Sequence, residues 1–261
     1  MGKLEGKVAI ITGGGKGIGF GLAKAFAKEG ANLVITGRTM SRLEAAKEKL
    51  EAEYGVKVLP ITADGADEAS VANVVEQAVK TFGRIDTVVN NAQVSKSGVM
   101  LKDHTKEDFD LAIYSGLYAA FFYMRDAYPY LKESKGSVIN FSSMAAFRPL
   151  TRVCGYAAAK AGISNFTAFM ATECAKKFGE GIRVNAIAPG FFLTEQNRSL
   201  LTNPDGTYTK RGQDVIRQTP FGRMGEPEEL CGTIHYLMSD AAKFVTGTVA
   251  VVDGGFNVFA M

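Results

Sequence analysis

The sequence contains few cysteines, no long apolar run and no block of basic residues, and each of these shortages excludes a class of protein or site. Its three cysteines, Cys154, Cys174 and Cys231, lie far apart and lack the spacing of metal ligands. This predicts free, buried or half-buried thiols in a reducing compartment, and no metal site. No apolar run is long enough to cross a bilayer, and the first seven residues lack the apolar core of a signal peptide. We therefore expect a cytoplasmic protein with no membrane partner.

Charge and composition are those of an ordinary soluble protein, and neither indicates a nucleic-acid-binding protein. The formal net charge of +3 is spread along the chain without basic blocks, so no nucleic-acid partner is expected. With 46% hydrophobic and 22% charged residues, the 261-residue chain can bury a sizeable core. No repeat, linker or low-complexity segment interrupts it, which predicts one domain over residues 1–261.

Short apolar segments alternate with helical segments along the whole chain. This alternation predicts an α/β fold, a Rossmann-type doubly wound parallel sheet of about seven strands, with ligands beyond the carboxyl ends of the strands. The predicted strands cover 7–12, 32–36, 57–63, 84–89, 136–141, 183–188 and 248–252. The predicted helices include 41–54, 68–82, a long aromatic helix over 109–131, a helix carrying Tyr156 that runs to about Phe178, and 226–240.

A glycine-rich turn joins the first strand to the first helix, where it reads Thr-Gly-x-x-x-Gly-x-Gly from Thr12 to Gly19. Glycines allow a tight turn and let backbone N–H groups approach a pyrophosphate at the helix N-terminus. Because a strand precedes the turn and an amphipathic helix follows it, we predict a dinucleotide site. Its expected contacts are Gly13, Lys16, Gly17, Ile18 and Gly19.

The end of the second strand indicates which nucleotide is preferred. An acidic residue there would bind both ribose hydroxyls of NAD and repel a 2′-phosphate, but the sequence has Gly37 followed by Arg38. A guanidinium is suited to bidentate phosphate contacts, and Lys16 adds a second positive charge. We therefore expect NADP(H) to be preferred, with NAD(H) possible and two solvated surface cations as the alternative. At the end of the third strand, Asp64 could accept from the adenine amino group.

Tyr156 and Lys160 are four residues apart in an alanine-rich helical segment, so they share one helical face. An ammonium beside a phenol favours the phenolate, which predicts a tyrosine pKa lowered towards a value useful for proton transfer. Ser143 is expected at the carboxyl end of the fifth strand, where a doubly wound sheet places its chemistry. Tyrosine and lysine at this spacing are common by chance, so the interpretation depends on the surrounding motifs.

Those motifs, in this order, resemble the short-chain dehydrogenase/reductase family over nearly the whole chain. The matching elements are Thr12-Gly13 with Gly17-Ile18-Gly19, Asp64, Asn90-Asn91-Ala92, Ser143 with Tyr156 and Lys160, Pro189-Gly190 with Thr194, and Asp253-Gly254-Gly255. The resemblance implies a seven-stranded Rossmann-type sheet, a hydride transferred between a nicotinamide nucleotide and a small carbonyl or alcohol substrate, and a homotetramer. Its implied hydride is the pro-S one.

The resemblance also implies a role for each matched residue. Tyr156 would exchange the proton, Ser143 would hydrogen-bond the substrate oxygen, and Lys160 would lower the tyrosine pKa and hold the nicotinamide ribose. Asn91 would support the adenosine ribose or the strand beneath it. The carboxamide would be anchored by a short segment comprising Pro189, Gly190, Phe192 and Thr194.

Two positions depart from the family pattern, and a polar segment near the end of the chain is expected to cover the site. Gln93 stands where the family usually has glycine, and Ser115 stands where it often has an asparagine that bends the long helix and holds a water in a proton relay. Ser115 is therefore a candidate fourth member of the catalytic set. Residues 191–222 are expected to form an irregular substrate lid. The aromatic residues of the long helix indicate core or subunit interface rather than a ligand site.

The substrate is less constrained by sequence. Residues 90–93 and 114–118 resemble bacterial hydroxysteroid dehydrogenases, whereas residues 189–198 resemble sugar-acid oxidoreductases. Both substrate classes carry a carboxylate that the lid cations Arg198, Lys210, Arg211 and Arg217 could bind, although these cations could equally be solvated. Two alternatives are a 3-oxoacyl-(acyl-carrier-protein) reductase and a non-catalytic nucleotide sensor. The intact set of Ser143, Tyr156 and Lys160 argues against the sensor.

Overall fold

The computed structural model describes residues 2–96 and 98–259 and contains a parallel sheet with helices on both faces. The seven strands of the described chain are ordered β3-β2-β1-β4-β5-β6-β7, and every neighbouring pair is parallel. The strand order reverses direction between β1 and β4, so the crevice for a ligand is expected beyond their carboxyl ends. The strands are β1 (Val8–Thr12), β2 (Asn32–Gly37), β3 (Val58–Thr62), β4 (Thr87–Asn90), β5 (Ser137–Phe141), β6 (Arg183–Pro189) and β7 (Val249–Val252).

The doubly wound fold with seven strands is confirmed, and the predicted strand ends lie within three residues of the observed ones. The largest shift is in β4, which begins at Thr87 rather than at Arg84. The side chain of Asp86 explains this start, because it accepts hydrogen bonds from the Val8 amide and the Arg84 guanidinium before the ladder begins.

The helices lie in two layers. They are α1 (Gly17–Lys28), α2 (Met40–Tyr54), α3 (Glu68–Phe82), α4 (Lys106–Ile113), α5 (Ala119–Ser134), α6 (Cys154–Phe178), α7 (Glu195–Leu201), α8 (Lys210–Gln218) and α9 (Cys231–Met238). The two neighbours Ile10 and Ile11 are fully buried but pack into different hydrophobic clusters, one on each face of the sheet. An apolar run without alternation therefore marks a strand covered on both sides.

Three helical predictions need correction. The long aromatic helix begins at Lys106, and a π-helical turn over Tyr114–Tyr118 joins α4 to α5. The predicted helix over 226–240 is a short 3₁₀ turn, Pro227–Leu230, followed by α9. Residues 191–222 are not irregular, because they contain α7 and α8, which pack around the small cluster of Leu201, Val215 and Met224.

Other features of the described chain match its composition. Its three cysteines are free, with Cys174 buried and the other two half-buried. None of its helices is long and apolar enough to cross a membrane. No group of three or more histidine, cysteine, aspartate or glutamate side chains within 2–96 and 98–259 could hold a metal ion.

Candidate active site

A cleft of about 590 Å³ lies at the carboxyl ends of the strands and brings the predicted site residues together. Its floor is the glycine turn on one side and the ends of β4, β5 and β6 on the other. All of the residues proposed from sequence line it: Gly13, Lys16, Gly17, Ile18, Gly19, Arg38, Asp64, Asn91, Ser115, Ser143, Tyr156, Lys160, Pro189, Gly190, Phe192 and Thr194. Residues from distant parts of the chain therefore share one cavity.

The glycine turn is built by close backbone contacts. Gly13 has a φ of +70° and Gly17 one of +53°, conformations that side-chain-bearing residues rarely adopt. A Cβ on Gly19 would lie 2.2 Å from the Gly13 carbonyl oxygen, whereas one on Gly17 would meet nothing within 4 Å. The helix thus packs directly against the turn, and open space remains above the N-terminus of α1. This arrangement fits a pyrophosphate held by backbone N–H groups.

Asn91 supports the strand beneath the turn. Its side-chain amide donates to the Thr12 carbonyl at 2.9 Å, and the amides of Asn91 and Ala92 both donate to the Thr12 hydroxyl at 2.9 Å. The sequence placed Thr12 in the glycine motif but did not predict its role, which is to join β1 to β4 and so fix the glycine turn against the neighbouring strand. A buried threonine at the last position of the first strand was the available signal.

The part of the cleft beside the glycine turn, called the nucleotide end below, carries charged side chains of both signs. Arg38 and Lys16 are exposed at the cleft, and Gly37 has no side chain that could offer a carboxylate. The Asp64 carboxylate accepts from the Ala66 amide at 3.0 Å, which holds the turn after β3. Two cations therefore face the position where a ribose 2′ substituent would be expected after β2.

Ser143, Tyr156 and Lys160 meet where β5 ends and α6 begins. Ser143 and Lys160 are buried, and Tyr156 is half-buried in the wall of the cleft. The Ser143 oxygen accepts from the Ala145 amide at 3.1 Å, which orients the hydroxyl. The Lys160 ammonium donates to the Phe141 carbonyl and lies 5.5 Å from the centre of the Tyr156 ring.

The electrostatics of this group differ from the sequence prediction. Burial raises the pKa of Tyr156, and the adjacent Ser143 hydroxyl only partly opposes that rise. Burial lowers the pKa of Lys160 to about 7. The direction for Tyr156 is therefore opposite to the lowered pKa predicted from sequence, because loss of solvent disfavours the charged form of both groups.

Ser115 lies in the π-helical turn and connects the long helix to the segment after β4. Its oxygen is 2.6 Å from the Leu111 carbonyl oxygen and 2.8 Å from that of Val94, and it accepts from the Val94 amide at 3.0 Å. The hydroxyl is thus occupied by main-chain partners. Its part in a proton relay stays a prediction, while its position at the irregular turn agrees with the expected bend.

Gln93, the other departure from the family pattern, packs over the same turn. Its amide nitrogen donates to the Ala112 carbonyl at 3.2 Å, and a Cβ on Gly116 would come within 2.9 Å of that nitrogen. Within the described chain, the Gln93 amide oxygen is buried without a hydrogen-bond partner. A buried acceptor of this kind favours a donor from water or from a ligand in the cleft.

The segment after β6 forms the opposite wall. A Cβ on Gly190 would lie 2.6 Å from the Cβ of Asp253, so this turn packs against the turn that follows β7. Thr194 immediately precedes α7, and its amide donates to the Asn197 side chain at 2.8 Å while Asn197 donates back to the Phe192 carbonyl at 2.8 Å. These bonds fix the loop that carries Phe192 and Thr194 along the cleft.

A family model described as enoyl-(acyl carrier protein) reductase matches residues 13–257. The chain belongs to the short-chain dehydrogenase/reductase family. It is an oxidoreductase that acts on alcohol and ketone groups of small molecules with a nicotinamide nucleotide. The matched region spans the whole cleft from Gly13 to the turn after β7.

Three relatives cover nearly the full chain. A 12alpha-hydroxysteroid dehydrogenase from a Clostridium species is 47% identical over 98% of this chain and 99% of its own length. The 3-oxoacyl-[acyl-carrier-protein] reductase of Thermotoga maritima is 36% identical over 98% and 100%. The gluconate 5-dehydrogenase of Gluconobacter oxydans is 32% identical over 98% and 96%.

The fold of the enzyme agrees closely with that of a solved relative. L-sorbose reductase from Gluconobacter frateurii, in a complex with NADPH and L-sorbose, superposes with a TM-score of 0.90. It is 33% identical, with 100% of this chain and 99% of that chain covered. The resemblance to hydroxysteroid and sugar-acid oxidoreductases is thereby confirmed at the level of the family.

Proposed function

We propose that this enzyme interconverts a secondary alcohol and a ketone on an apolar, steroid-like molecule, with NADP(H) as the nucleotide. The observation that carries the substrate class is the apolar wall around the reacting groups. Met144, Leu150 and Val153, in the segment between Ser143 and Tyr156, line the cleft together with Phe191 and Leu200. Apolar side chains favour a hydrocarbon body, whereas a sugar acid needs several hydrogen-bonding partners for its hydroxyls.

The 47% identity with a hydroxysteroid dehydrogenase supports the same substrate class. The sugar-acid and acyl-carrier-protein alternatives rest on lower identities of 32% and 36%. The preference for NADP(H) is supported by Arg38 and Lys16 at the cleft and by glycine in place of an acid after β2.

The chain's own residues supply binding and proton transfer. Bound nicotinamide would donate or accept the hydride. Ser143 would hydrogen-bond the substrate oxygen, stabilising the charge that develops on it. Tyr156 would give its phenolic proton to that oxygen in reduction and, as the phenolate, would take a proton from the alcohol in oxidation. Burial raises the pKa of Tyr156, which favours the phenol form that donates the proton in reduction.

The nucleotide contacts in this proposal follow the lining of the cleft. The turn from Gly13 to Gly19 would hold the pyrophosphate, Asp64 would face the adenine, and Lys160 would contact the nicotinamide ribose. The loop from Pro189 to Thr194 would hold the carboxamide. The segment 191–222, including α7 and α8, would act as the substrate lid.

A cytoplasmic homotetramer completes the proposal. Tyr118 in the π-helical turn, Phe121 on α5 and Phe169 on α6 are 42–59% exposed, and Phe244 near β7 is fully exposed. Large exposed aromatic side chains are suited to contacts between copies of the chain.

The experiment is a comparison of substrates and nucleotides by nicotinamide absorbance. Purified enzyme is assayed with a 12α-hydroxysteroid, gluconate and a 3-oxoacyl thioester, each with NADP(H) and NAD(H). We expect turnover of the steroid with NADP(H). Turnover confined to gluconate or to the thioester would overturn the substrate class.

Tyr156→Phe tests the catalytic part of the proposal. Loss of the phenolic proton should lower kcat by roughly 100-fold to 10,000-fold, with the circular dichroism spectrum unchanged. Tyr114→Phe is the matched control, because Tyr114 is 43% exposed and does not line the cleft. Unchanged turnover in Tyr156→Phe would refute the role of this residue.

A further inference from the structure

The lid places one of its four cations differently from the others. Arg198, Lys210 and Arg217 are exposed and lie outside the lining of the cleft, whereas Arg211 is half-buried and lines it. Arg211 is in the first turn of α8, and the next residue, Gly212, allows that turn to lie against the Leu201 carbonyl, since a Cβ there would be 2.3 Å from its oxygen. The backbone therefore holds Arg211 in the wall of the cleft.

Arg211 has no carboxylate partner within the part of the chain that the structure describes. The ion pairs of this region instead join Arg217 to Asp214 at 2.9 Å and Arg223 to Glu229 at 2.6 Å. The acidic side chain that shares this end of the cleft is Glu195, which is exposed at the start of α7. A half-buried guanidinium that lacks an acidic partner is suited to an anion brought by the ligand.

The rest of this end of the cleft restricts what that anion can be attached to. Leu150, Val153, Phe191 and Leu200 are apolar, and they share the cavity with Arg211 and with the Tyr156 hydroxyl. The nucleotide phosphates already have the glycine turn, Lys16 and Arg38 at the other end. A ligand that contacts both the apolar wall and Arg211 would have an apolar body, with its anionic group at a distance from the reacting carbon.

We infer that Arg211 binds a carboxylate at the far end of the substrate, so that the enzyme selects apolar alcohols or ketones that are also acids. This inference rests on the proposed function and adds a subsite to it. A bidentate contact between guanidinium and carboxylate gives direction as well as affinity. It would hold an amphipathic substrate with its hydroxyl-bearing carbon at Ser143 and Tyr156.

The test compares a 12α-hydroxysteroid that has a side-chain carboxylate with the methyl ester of the same compound. The wild-type enzyme should show a kcat/KM about 10-fold to 100-fold higher for the acid, the range expected for a charged hydrogen bond. In Arg211→Leu this ratio should fall to near one, through a higher KM for the acid, since the contact is made equally in the ground and transition states. Arg211→Lys should keep part of the ratio.

Arg217→Leu is the matched control, because it removes the same charge from the exposed face of the same helix and should leave the ratio unchanged. Raised salt should reduce the preference for the acid in the wild type. Equal turnover of acid and ester by the wild type would overturn this inference alone. A rise in the KM for NADP(H) in Arg211→Leu, with no change in the acid-to-ester ratio, would also overturn this inference. Turnover of neither steroid would overturn the proposed substrate class together with it.

Discussion

The two ends of the cleft are built by different means. At the nucleotide end, Gly14 and Gly19 have no room for a Cβ, because the Ile35 side chain and the Gly13 carbonyl occupy that space. Asn91 is bonded through its side chain to the strand below. At the substrate end, the lid is held around three buried side chains, Leu201, Val215 and Met224. The nucleotide end is therefore one closely packed surface, and the substrate end is held by a small separate cluster.

The difference follows from what each end would bind. A nucleotide presents the same pyrophosphate and ribose to every member of the family, so close backbone contacts can be fixed once. A substrate varies between members, and a lid with a small cluster of its own can change without disturbing the sheet. Between the two ends lie Ser143, two residues after β5, and Tyr156 and Lys160 in the first two turns of α6.

Gly19→Ala compared with Gly206→Ala should give the largest contrast between the ends. The new Cβ of Gly19→Ala would be 2.2 Å from the Gly13 carbonyl oxygen, so backbone must move and the free energy of unfolding should fall by about 3 kcal/mol. Gly206, in the lid, has a φ of +85° and nothing within 4 Å of its Cβ position. Its cost is limited to backbone strain, about 1 kcal/mol.

Urea unfolding and nucleotide titration measure this contrast. Gly19→Ala should also lose nucleotide affinity, while Gly206→Ala should retain it. If both variants unfold at the same urea concentration, the two ends do not differ in packing as described.

The nucleotide end was readable from sequence because its signals are local. The strand, the glycine turn and the helix follow one another within about twenty residues. Glycine is required at position 13 by its positive φ and at position 19 by a backbone contact. The fold class is equally local in origin, since the alternation of apolar strands and helices dictates a parallel sheet. The role of Thr12 in linking β1 to β4 could not be predicted, because it depends on residues nearly eighty positions away.

The lid was less readable because its two helices are short and contain few apolar residues. The α8 segment, Lys-Arg-Gly-Gln-Asp-Val-Ile-Arg-Gln, is mostly polar, and it is stabilised by packing Val215 against Leu201 and Met224. Sequence also could not rank the four lid cations, because burial of Arg211 is set by the path of the backbone. The predicted direction of the Tyr156 pKa shift was wrong for a similar reason. The spacing placed Lys160 on the same helical face, but only the structure shows that loss of solvent dominates the pKa of both groups.

Arg38→Asp should produce the next largest effect, on nucleotide choice. Replacing the guanidinium with a carboxylate removes a phosphate contact and adds an acceptor for ribose hydroxyls, so the ratio of kcat/KM for NADP(H) to that for NAD(H) should fall about 100-fold. Arg42→Asp is the matched control, because it makes the same charge change on the exposed face of α2, outside the lining of the cleft. Equal kinetics with both nucleotides in the unmutated enzyme would remove the basis for the proposed preference.

Lys160→Met should give the smallest effect and tests the region between the two ends. Burial lowers the pKa of Lys160 from 10.5 to about 7. Between these pH values the unfolded chain binds more protons than the native one, so the free energy of unfolding rises with pH from about 7 to 10.5. Below pH 7 the native lysine is also charged, and the free energy of unfolding is lowered by the full cost of burying that charge. Removing the amine should therefore stabilise the protein at pH 6 by on the order of 2 kcal/mol, after allowing for the hydrogen bond lost at the Phe141 carbonyl.

This gain should shrink steadily as the pH rises towards 10, because the native amine is then neutral and the unfolded lysine approaches its pKa of 10.5. Urea unfolding of wild type and Lys160→Met at fixed protein concentration, at several pH values from 6 to 10, gives the slope directly. Lys176→Met, on the exposed side of the same helix, should show no such pH-dependent gain. A gain for Lys160→Met that does not vary with pH would mean that packing, rather than the buried charge, opposes stability at the point where the chemistry is proposed to occur.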